Sequence, residues 1–389
     1  MTELGVSVYP DLSPIEDIEA YLHLASKYGC TRVFSSMFSV EGTNEEILEY
    51  FRKFIEIAHA CGMKVSLDVN PAFLTKLGVT PEDVSLFHEI GCDIIRLDMC
   101  YGKEKDLQMI NNPYGIQIQL NASMGIADEL QYLKDHGVTG ERLLLGHNFY
   151  PQRYTALKWN TFLKTNEQLF PFGYPIDAFV ASHAENTHGV WDARDGLPTV
   201  EMMRDLPINL QVRLLEAAGI QNILIGNAYA SEDEFKAIQE VLAEPRKIED
   251  SPIWEIIKGF GSLFGMGAER KLKVIPDPDI TETERYMLFD FFPQVDYGDS
   301  SEWIWRSRSG RMNNKDRIIP QRSFDCEYFE PGDVLIVNDT YKHYSGEVQI
   351  ARLPVKNDGQ RNRIGKLAEN EMKLLELIKD GDFVRFLEK

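Results

Sequence analysis

The stretch at residues 91–99, which contains Ile95, Arg96, Leu97 and Asp98, constrains the fold of this chain more than any other. Successive side chains of a β-strand point to opposite faces, so Arg96 and Asp98 share one face and the two apolar residues share the other. Strands of a parallel sheet are normally covered on both faces and read as nearly continuous apolar residues. Because burying an unpaired charge is costly, the face with Arg96 and Asp98 must lie in a polar, partly hydrated place.

The same alternation of polar and apolar residues recurs along the first 245 residues. About eight strands, most of them followed by a helical segment or a long loop, are predicted at 3–9, 32–38, 63–70, 91–99, 115–123, 142–151, 176–183 and 222–228. This regular β–α alternation predicts a (β/α)8 TIM barrel. A doubly wound open sheet would require both faces of its central strands to be apolar, so we favour the closed barrel.

The pattern changes after residue 245. Residues 246–270 are polar and proline-bearing and then apolar but interrupted by glycines, which predicts a linker and packing segment between domains. Residues 271–389 contain short runs typical of strands, at 286–292, 303–308, 333–338 and 346–352, and one predicted helix at 366–380. We therefore expect a barrel domain at 1–245 and a mainly-β domain at 271–389.

Composition limits the partners of the chain. A net charge of -20 argues against binding to nucleic acid or to an anionic membrane, although a few local arginines can still hold a small anion. No apolar run reaches the length of a membrane span, and the N-terminus has no secretory signal pattern. Five scattered cysteines are typical of reduced thiols, so we expect a cytoplasmic protein and leave its oligomeric state open.

The strongest candidate site lies on neighbouring strands three to five. Active sites of TIM barrels form at the C-terminal ends of the strands, where Asp68, Arg96 and Asp98 are expected to meet. Two carboxylates on adjacent strand ends suit acid–base chemistry at one bond, as in glycoside hydrolysis. We predict Asp98 as base, nucleophile or cation stabiliser, because Arg96 favours its charged form, and Asp68 as proton donor. A structural ion pair within the barrel is the alternative.

Other polar and aromatic residues at strand ends are predicted to contact the substrate. The segment from Gly146 to Arg153 resembles a sugar-binding rim, and the turn after strand eight suits a phosphate. The predicted contacts, beside Arg96, are Tyr9, Asn121, His147, Asn148, Tyr150, His183, Asn227 and, in the second domain, Arg306 and Arg308. Loop-stabilising roles are the alternative for His147 and Asn148, and a solvated basic loop is the alternative for the two arginines.

The histidine pattern bears on whether a metal is needed. His183 and His188 lie near acidic residues on the loop after strand seven, but no HxH or HExxH spacing supports a metal site. We therefore predict neither metal nor cofactor. A metal-dependent phospho-sugar isomerase or aldolase on the same barrel remains an alternative function.

Several short motifs together point to one family. They are Gly-Val-Ser-Val-Tyr-Pro at 5–10, Ile-Arg-Leu-Asp at 95–98, Asn-Pro-Tyr-Gly at 112–115, Gly-His-Asn-Phe-Tyr-Pro at 146–151, Asp-Gly-Leu-Pro-Thr at 195–199, Ile-Gly-Asn-Ala-Tyr-Ala at 225–230, Gly-Asp-Val-Leu-Ile-Val-Asn at 332–338 and Tyr-Ser-Gly-Glu at 344–347. Over nearly its whole length the chain resembles a bacterial family, formerly called outer surface proteins, that is associated with 6-phospho-N-acetylmuramidase activity.

The resemblance implies a TIM barrel followed by a small cyclophilin-like β-barrel. It also implies a cytoplasmic hydrolase that acts in cell-wall recycling on the β-1,4 bond of the phosphorylated amino-sugar disaccharide MurNAc 6-phosphate–GlcNAc. Gln119 departs from the family, which more often has Glu at this position, so we assign Gln119 no proton transfer. The old family label leaves a non-catalytic, carbohydrate-binding surface protein as a further alternative.

Overall fold

The structure is a computed structural model, and it describes residues 2–40, 42–243, 268–296, 300–301, 303–314, 316–342, 344–379 and 381–389. The chain divides into two compact units, Met1–Ala243 and Glu244–Lys389. Most of the segment predicted as a linker, residues 246–267, lies outside the described residues. Each unit is considered separately below.

The first unit contains a closed barrel of eight strands in sequence order, with every neighbouring pair parallel. The strands are β1 (Glu3–Ser7), β2 (Arg32–Ser36), β3 (Lys64–Val69), β4 (Ile94–Leu97), β5 (Gln117–Asn121), β6 (Leu143–Gly146), β7 (Ile176–Val180) and β8 (Asn222–Ile225). The predicted (β/α)8 barrel is confirmed, and the open doubly wound sheet is excluded because β1 pairs with β8.

Helices alternate with these strands. They are α1 (Ile15–Lys27), α2 (Asn44–Ala60), α3 (Pro71–Leu77), α4 (Ser85–Glu89), α5 (Lys103–Ile110), α6 (Ala127–Asp135), α7 (Trp159–Leu169), α8 (Ile208–Ala217) and α9 (Glu232–Ala243). In α2, Thr43 and Glu46 form a capping box, and Ile47, Phe51 and Phe54 bury one face at helical spacing. Among the helices that the structure describes, none is both long and apolar enough to cross a membrane.

The polar faces of the strands point into the barrel and bond to one another. Near the N-terminal ends of the strands, the Asp177 carboxylate accepts hydrogen bonds from Arg32, from Gln119 and, at 2.7 Å, from Asn222. All four side chains are buried. Gln119 therefore supplies an amide donor to a buried carboxylate, a role that the acceptor-only carboxylate of a glutamate could not fill.

Gly146 at the end of β6 makes room for this network. A Cβ atom built at this glycine would lie only 2.7 Å from the amide carbon of Gln119. Any larger residue at position 146 would therefore displace the Gln119 side chain, and with it the bond to Asp177.

The second unit is a mainly-β domain. Its strands are β9 (Glu269–Pro276), β10 (Gln294–Val295), β11 (Ile304–Ser307), β12 (Tyr328–Phe329), β13 (Asp333–Val337), β14 (Val348–Ala351), β15 (Val355–Lys356), β16 (Arg361–Leu367) and β17 (Phe383–Glu388). Seven of them form a nearly closed, barrel-like sheet in the order β10-β17-β9-β16-β13-β14-β11. The described helices of this unit are α10 (Glu282–Arg285), α11 (Ser309–Asn313) and α12 (Met372–Leu375).

Two element predictions in the second unit were wrong. Residues 286–292 are not a strand: a capping box between Thr281 and Glu284 starts α10, which continues into a π-helical turn, Tyr286–Asp290. The predicted helix at 366–380 is largely absent, because Arg361–Leu367 is a strand and only Met372–Leu375 is helical.

Candidate active site

A cavity with about 540 Å³ of empty volume opens at the mouth of the barrel, at the C-terminal ends of the strands. Active sites of TIM-barrel enzymes form at this end of the barrel. The lining residues are Phe34, Ser36, Asp68, Arg96, Asp98, Asn148, Phe149, Pro151, Phe179, Val190 and Trp191.

One guanidinium group organises the polar wall of the cavity. Nη1 of Arg96 donates to Oδ1 of Asp68 at 2.6 Å and to Oδ1 of Asp98 at 3.2 Å, while Nη2 donates to Oδ1 of Asn148. The strand register explains this cluster, because Asp68 and Arg96 are direct partners in the β3–β4 pair. Asp68 and Arg96 are buried, whereas 42% of the Asp98 side chain is exposed to the cavity mouth. The predicted ion pair exists, and it is open to solvent on the Asp98 side.

Burial makes Asp68 a weaker acid than an ordinary aspartate. Desolvation raises the pKa of Asp68 from 3.8 to about 6, although the neighbouring Arg96 cation opposes this increase. Oδ1 of Asp68 accepts the bond from Arg96, and Oδ2 makes no hydrogen bond within the described part of the chain. This carboxyl group can therefore carry a proton near pH 6 and present one oxygen to the cavity.

The shared contact also limits the distance between the two carboxyl groups. Because Oδ1 of Asp68 and Oδ1 of Asp98 both contact Nη1 of Arg96, they are separated by at most the sum of the two contact distances, about 5.8 Å. Carboxyl groups of inverting glycosidases are about 6.5–9.5 Å apart, and those of retaining enzymes about 5–5.5 Å. The bound on the two Oδ1 atoms lies below the spacing in inverting enzymes and includes the spacing in retaining enzymes.

A chain of hydrogen bonds holds Arg96 from behind. Ser123 Oγ accepts from the Asn148 backbone N–H at 3.1 Å and lies 3.2 Å from Nδ1 of His147, whose Nε2 lies 3.0 Å from Oδ1 of Asn166 in α7. Burial lowers the pKa of His147 to about 4, so this imidazole is neutral at physiological pH. His147 was predicted to contact substrate, but it lies behind the cavity wall, where it fixes Ser123 and thereby Asn148.

Three other predicted contacts bond the barrel itself and do not line this cavity. Nδ2 of Asn121 donates to the backbone oxygen of Asp98 at 3.0 Å, and the Tyr9 hydroxyl donates to the backbone oxygen of Gly226 at 2.5 Å. The amide of Asn227 makes two bonds, at 2.8 and 2.9 Å, with the backbone of Ser182. These are the contacts of residues that position loops, and Asn121 positions the loop that carries Asp98.

Tyr150 and His183 also lie outside the residues that line the cavity. Tyr150 is half-buried, which raises its pKa, and His183 Nε2 lies 2.5 Å from the backbone oxygen of Arg204. Arg204, which the sequence did not single out, is almost fully buried and donates to four backbone oxygens. Because these oxygens belong to the loops after β6 and β7, Arg204 joins the two loops at the barrel mouth. Its guanidinium also lowers the pKa of Glu201 to about 2.

The predicted phosphate contacts of the second unit remain predictions. Nη2 of Arg306 donates to the buried carboxylate of Glu347 at 2.7 Å, and the guanidinium lies 5.7 Å from the centre of the Tyr344 ring. Arg308 is half-buried and immediately precedes α11.

The apolar wall of the cavity was not predicted from the sequence. The rings of Phe34, Phe149 and Phe179 pack edge to face, with centroids 5.2–5.7 Å apart. Trp191 lies on the loop after β7, and 66% of its surface is exposed. The positions of Phe34 and Phe179 on strands β2 and β7 were a usable signal, whereas Trp191 depends on a loop conformation that the sequence pattern does not reveal.

Within the described residues, no three side chains of His, Cys, Asp or Glu are placed to hold one metal ion. Asp68 and Asp98 are the carboxylates among the lining residues of the cavity, and both already contact the Arg96 cation. This donor set gives no support to the metal-dependent alternative.

Comparison with known proteins identifies relatives over the whole chain. A family model described as the N-terminal domain of 6-phospho-N-acetylmuramidase matches residues 4–240, and a model of the C-terminal domain of the same enzyme matches residues 270–387. A search of curated proteins gave no match.

Two solved structures are similar along their full length. An uncharacterized protein from B. cereus is 33% identical, with 100% of this chain and 99% of that chain covered and a TM-score of 0.78. A conserved protein of unknown function from Enterococcus faecalis is 21% identical, with 100% and 96% covered and a TM-score of 0.59.

Proposed function

This chain belongs to the 6-phospho-N-acetylmuramidase family, and from that premise we propose that it hydrolyses the β-1,4 bond between MurNAc 6-phosphate and GlcNAc. The observation that carries the proposal is the Asp68–Arg96–Asp98 cluster in the wall of an open cavity at the C-terminal end of the barrel. Such a pair of carboxyl groups supplies both the acid and the anion that glycoside hydrolysis requires.

The proposed reaction starts with Asp68 in its protonated form. Its proton passes to the glycosidic oxygen as the bond to C1 of MurNAc 6-phosphate breaks, and GlcNAc leaves with that proton. The Asp98 carboxylate either attacks C1 or orients the 2-acetamido group of the substrate for the same attack. The Asp68 carboxylate then removes a proton from water, which attacks C1 and releases MurNAc 6-phosphate.

Arg96 holds the two carboxyl groups together, and the burial of Asp68 sets the two apart. It contacts both, but Asp68 is buried, and burial raises its pKa to about 6, whereas Asp98 is open to water. Two acids whose environments separate their protonation can take different roles in one reaction. Asn148 holds the other guanidinium nitrogen, so the geometry of the pair depends on the loop after β6.

The separation of the carboxyl groups supports retention of configuration. The two Oδ1 atoms that contact Arg96 are at most about 5.8 Å apart, a bound that includes the spacing of retaining enzymes and lies below that of inverting ones. Attack on C1 by Asp98 and attack by the acetamido group both lead to a second displacement, and so both give retention.

We propose a cytoplasmic location and a role in the recycling of cell-wall fragments for this activity. A substrate with a phosphate and a lactyl carboxylate is an anion, and a protein of net charge -20 must bind it through local cations or backbone N–H groups. The family to which the chain belongs supports the substrate, and the Arg96 cluster supports the chemistry.

The test is to incubate the purified chain with MurNAc 6-phosphate–GlcNAc and follow the anomeric protons by ¹H NMR. We expect release of GlcNAc and of MurNAc 6-phosphate that is initially β, with little turnover of the unphosphorylated disaccharide as the matched control. No cleavage of the phosphorylated disaccharide would refute the proposed activity, and an initial α product would refute the retaining geometry.

A further inference from the structure

Trp191 is a large apolar side chain with 66% of its surface exposed at the rim of the cavity that Asp68 and Asp98 line. A single exposed apolar residue is common on protein surfaces and by itself indicates nothing. The position of Trp191 differs because the residue lines this cavity and lies on a turn with an unusual, hydrogen-bonded backbone.

The backbone at Trp191 is in the left-handed region, with φ 57° and ψ 32°, and Asp192 follows with φ 55°. Residues other than glycine rarely adopt this conformation, and two in succession are rarer. Strained conformations persist only where the surrounding structure enforces them, and they cluster at functional sites. Here the strained residue is also one that lines the cavity.

Short contacts fix the turn on both sides of Trp191. The Gly189 N–H donates to the backbone oxygen of Ala193 at 2.7 Å, and the Ala193 N–H donates to that of Val190 at 3.2 Å. Val190 itself is buried against Tyr9 and Leu197. The Asp192 side chain accepts a hydrogen bond from Arg194 at 2.8 Å. The indole is therefore presented by a turn with little freedom to rearrange.

We infer that Trp191 is a stacking platform for a hexopyranose ring of the substrate, an inference that rests on the proposed glycosidase function. One face of a pyranose carries C–H groups, which pack on an indole, while its edges carry hydroxyl groups that bond polar side chains. Across the same cavity, Asp68, Asp98 and Asn148 supply those polar partners. The platform holds the sugar over the carboxyl groups and does not itself take part in bond cleavage.

The test compares the variants Trp191→Ala and Trp191→Phe on MurNAc 6-phosphate–GlcNAc, with Trp303→Ala as the matched control. Trp303 is also exposed, at 55%, and lies in the second unit. Removing the platform should raise KM about tenfold and leave kcat within about twofold, because stacking acts equally in the ground and transition states. Trp191→Phe should be intermediate, and Trp303→Ala should match the wild type.

A binding measurement separates this inference from the proposed activity. Titration of the wild type with GlcNAc, and separately with MurNAc 6-phosphate, should change the tryptophan emission saturably with at least one of the two, and Trp191→Phe should lose that change. Wild-type KM and kcat in Trp191→Ala, or equal impairment in Trp303→Ala, would overturn the inference and leave the activity standing. If the wild type cleaves nothing, the proposed activity is refuted and the titration alone tests the platform. A change in tryptophan emission that persists in Trp191→Phe, or no change in the wild type, would refute the platform.

Discussion

Replacing Arg96 by methionine should make the stability of the barrel depend strongly on pH. Arg96 is buried and lies 2.6 Å from Asp68, so the variant keeps a buried carboxyl group without its cation. A buried aspartate in this situation takes up a proton rather than remaining charged. The free energy of unfolding should therefore fall little at acidic pH and much more at alkaline pH.

The magnitude follows from the contact distance. Two charges whose centres are roughly 4 Å apart interact by about 4 kcal/mol at an effective dielectric constant of about 20. This corresponds to roughly three pKa units. The pKa of Asp68 in the folded protein is raised above the ordinary value of 3.8. The stabilisation of the fold that this implies is fully present below pH 3.8 and is lost as the pH rises through the folded-state pKa. In the wild type this loss of unfolding free energy ends just above a pH of about 6. In Arg96→Met it continues for roughly three more pH units.

Urea unfolding followed by circular dichroism at acidic, neutral and alkaline pH measures the effect. Between a pH of about 6 and 8.5, the difference between wild type and Arg96→Met should grow by about 1.4 kcal/mol per pH unit, to about 3 kcal/mol. In the Asp68→Asn background, the same Arg96→Met change should give a difference that does not vary with pH. An equal loss of stability at all pH values in the single variant would refute the coupling between Arg96 and Asp68.

Two further predictions concern the acid and the packing behind it. Since the proposed reaction needs protonated Asp68, whose pKa is about 6, kcat/KM should fall about tenfold per unit above that pH, and a flat profile to pH 8 would exclude Asp68 as the acid. Gly146→Ala should lower the free energy of unfolding by about 1–3 kcal/mol, because its Cβ would meet the buried Gln119 amide. Gly125→Ala is the control, with nothing within 4 Å of the added atom, and equal thermal stability of the two variants would contradict the packing argument.

The barrel and the centre of its candidate site could be predicted because both follow from alternation along strands. Arg96 and Asp98 share a face two residues apart, and Asp68 is the direct partner of Arg96 on the neighbouring strand. The same rule placed Gln119 inside the barrel, but it could not show that Gln119 bonds Asp177, which is 58 residues away.

The roles of the remaining polar residues depend on contacts that no local pattern reveals. Asn227 bonds Ser182, and the Tyr9 hydroxyl reaches Gly226 at the other end of the barrel sequence. A residue that ends a strand looks the same in the sequence whether it faces a ligand or ties two loops together. The aromatic run at 286–292 was misjudged for a related reason, since a capping box before it outweighs its β propensity.

Turnover of MurNAc 6-phosphate–GlcNAc by Asp98→Asn tests the central claim most directly. Asp233→Asn, a change at an exposed carboxylate on α9, is the control for the loss of one negative charge. We predict that kcat of Asp98→Asn falls by about 10²–10⁴-fold with an unchanged circular dichroism spectrum, while the control keeps wild-type activity. Near-normal turnover in Asp98→Asn would contradict the account, because the carboxylate at the open side of the Arg96 pair would then have no part in the chemistry.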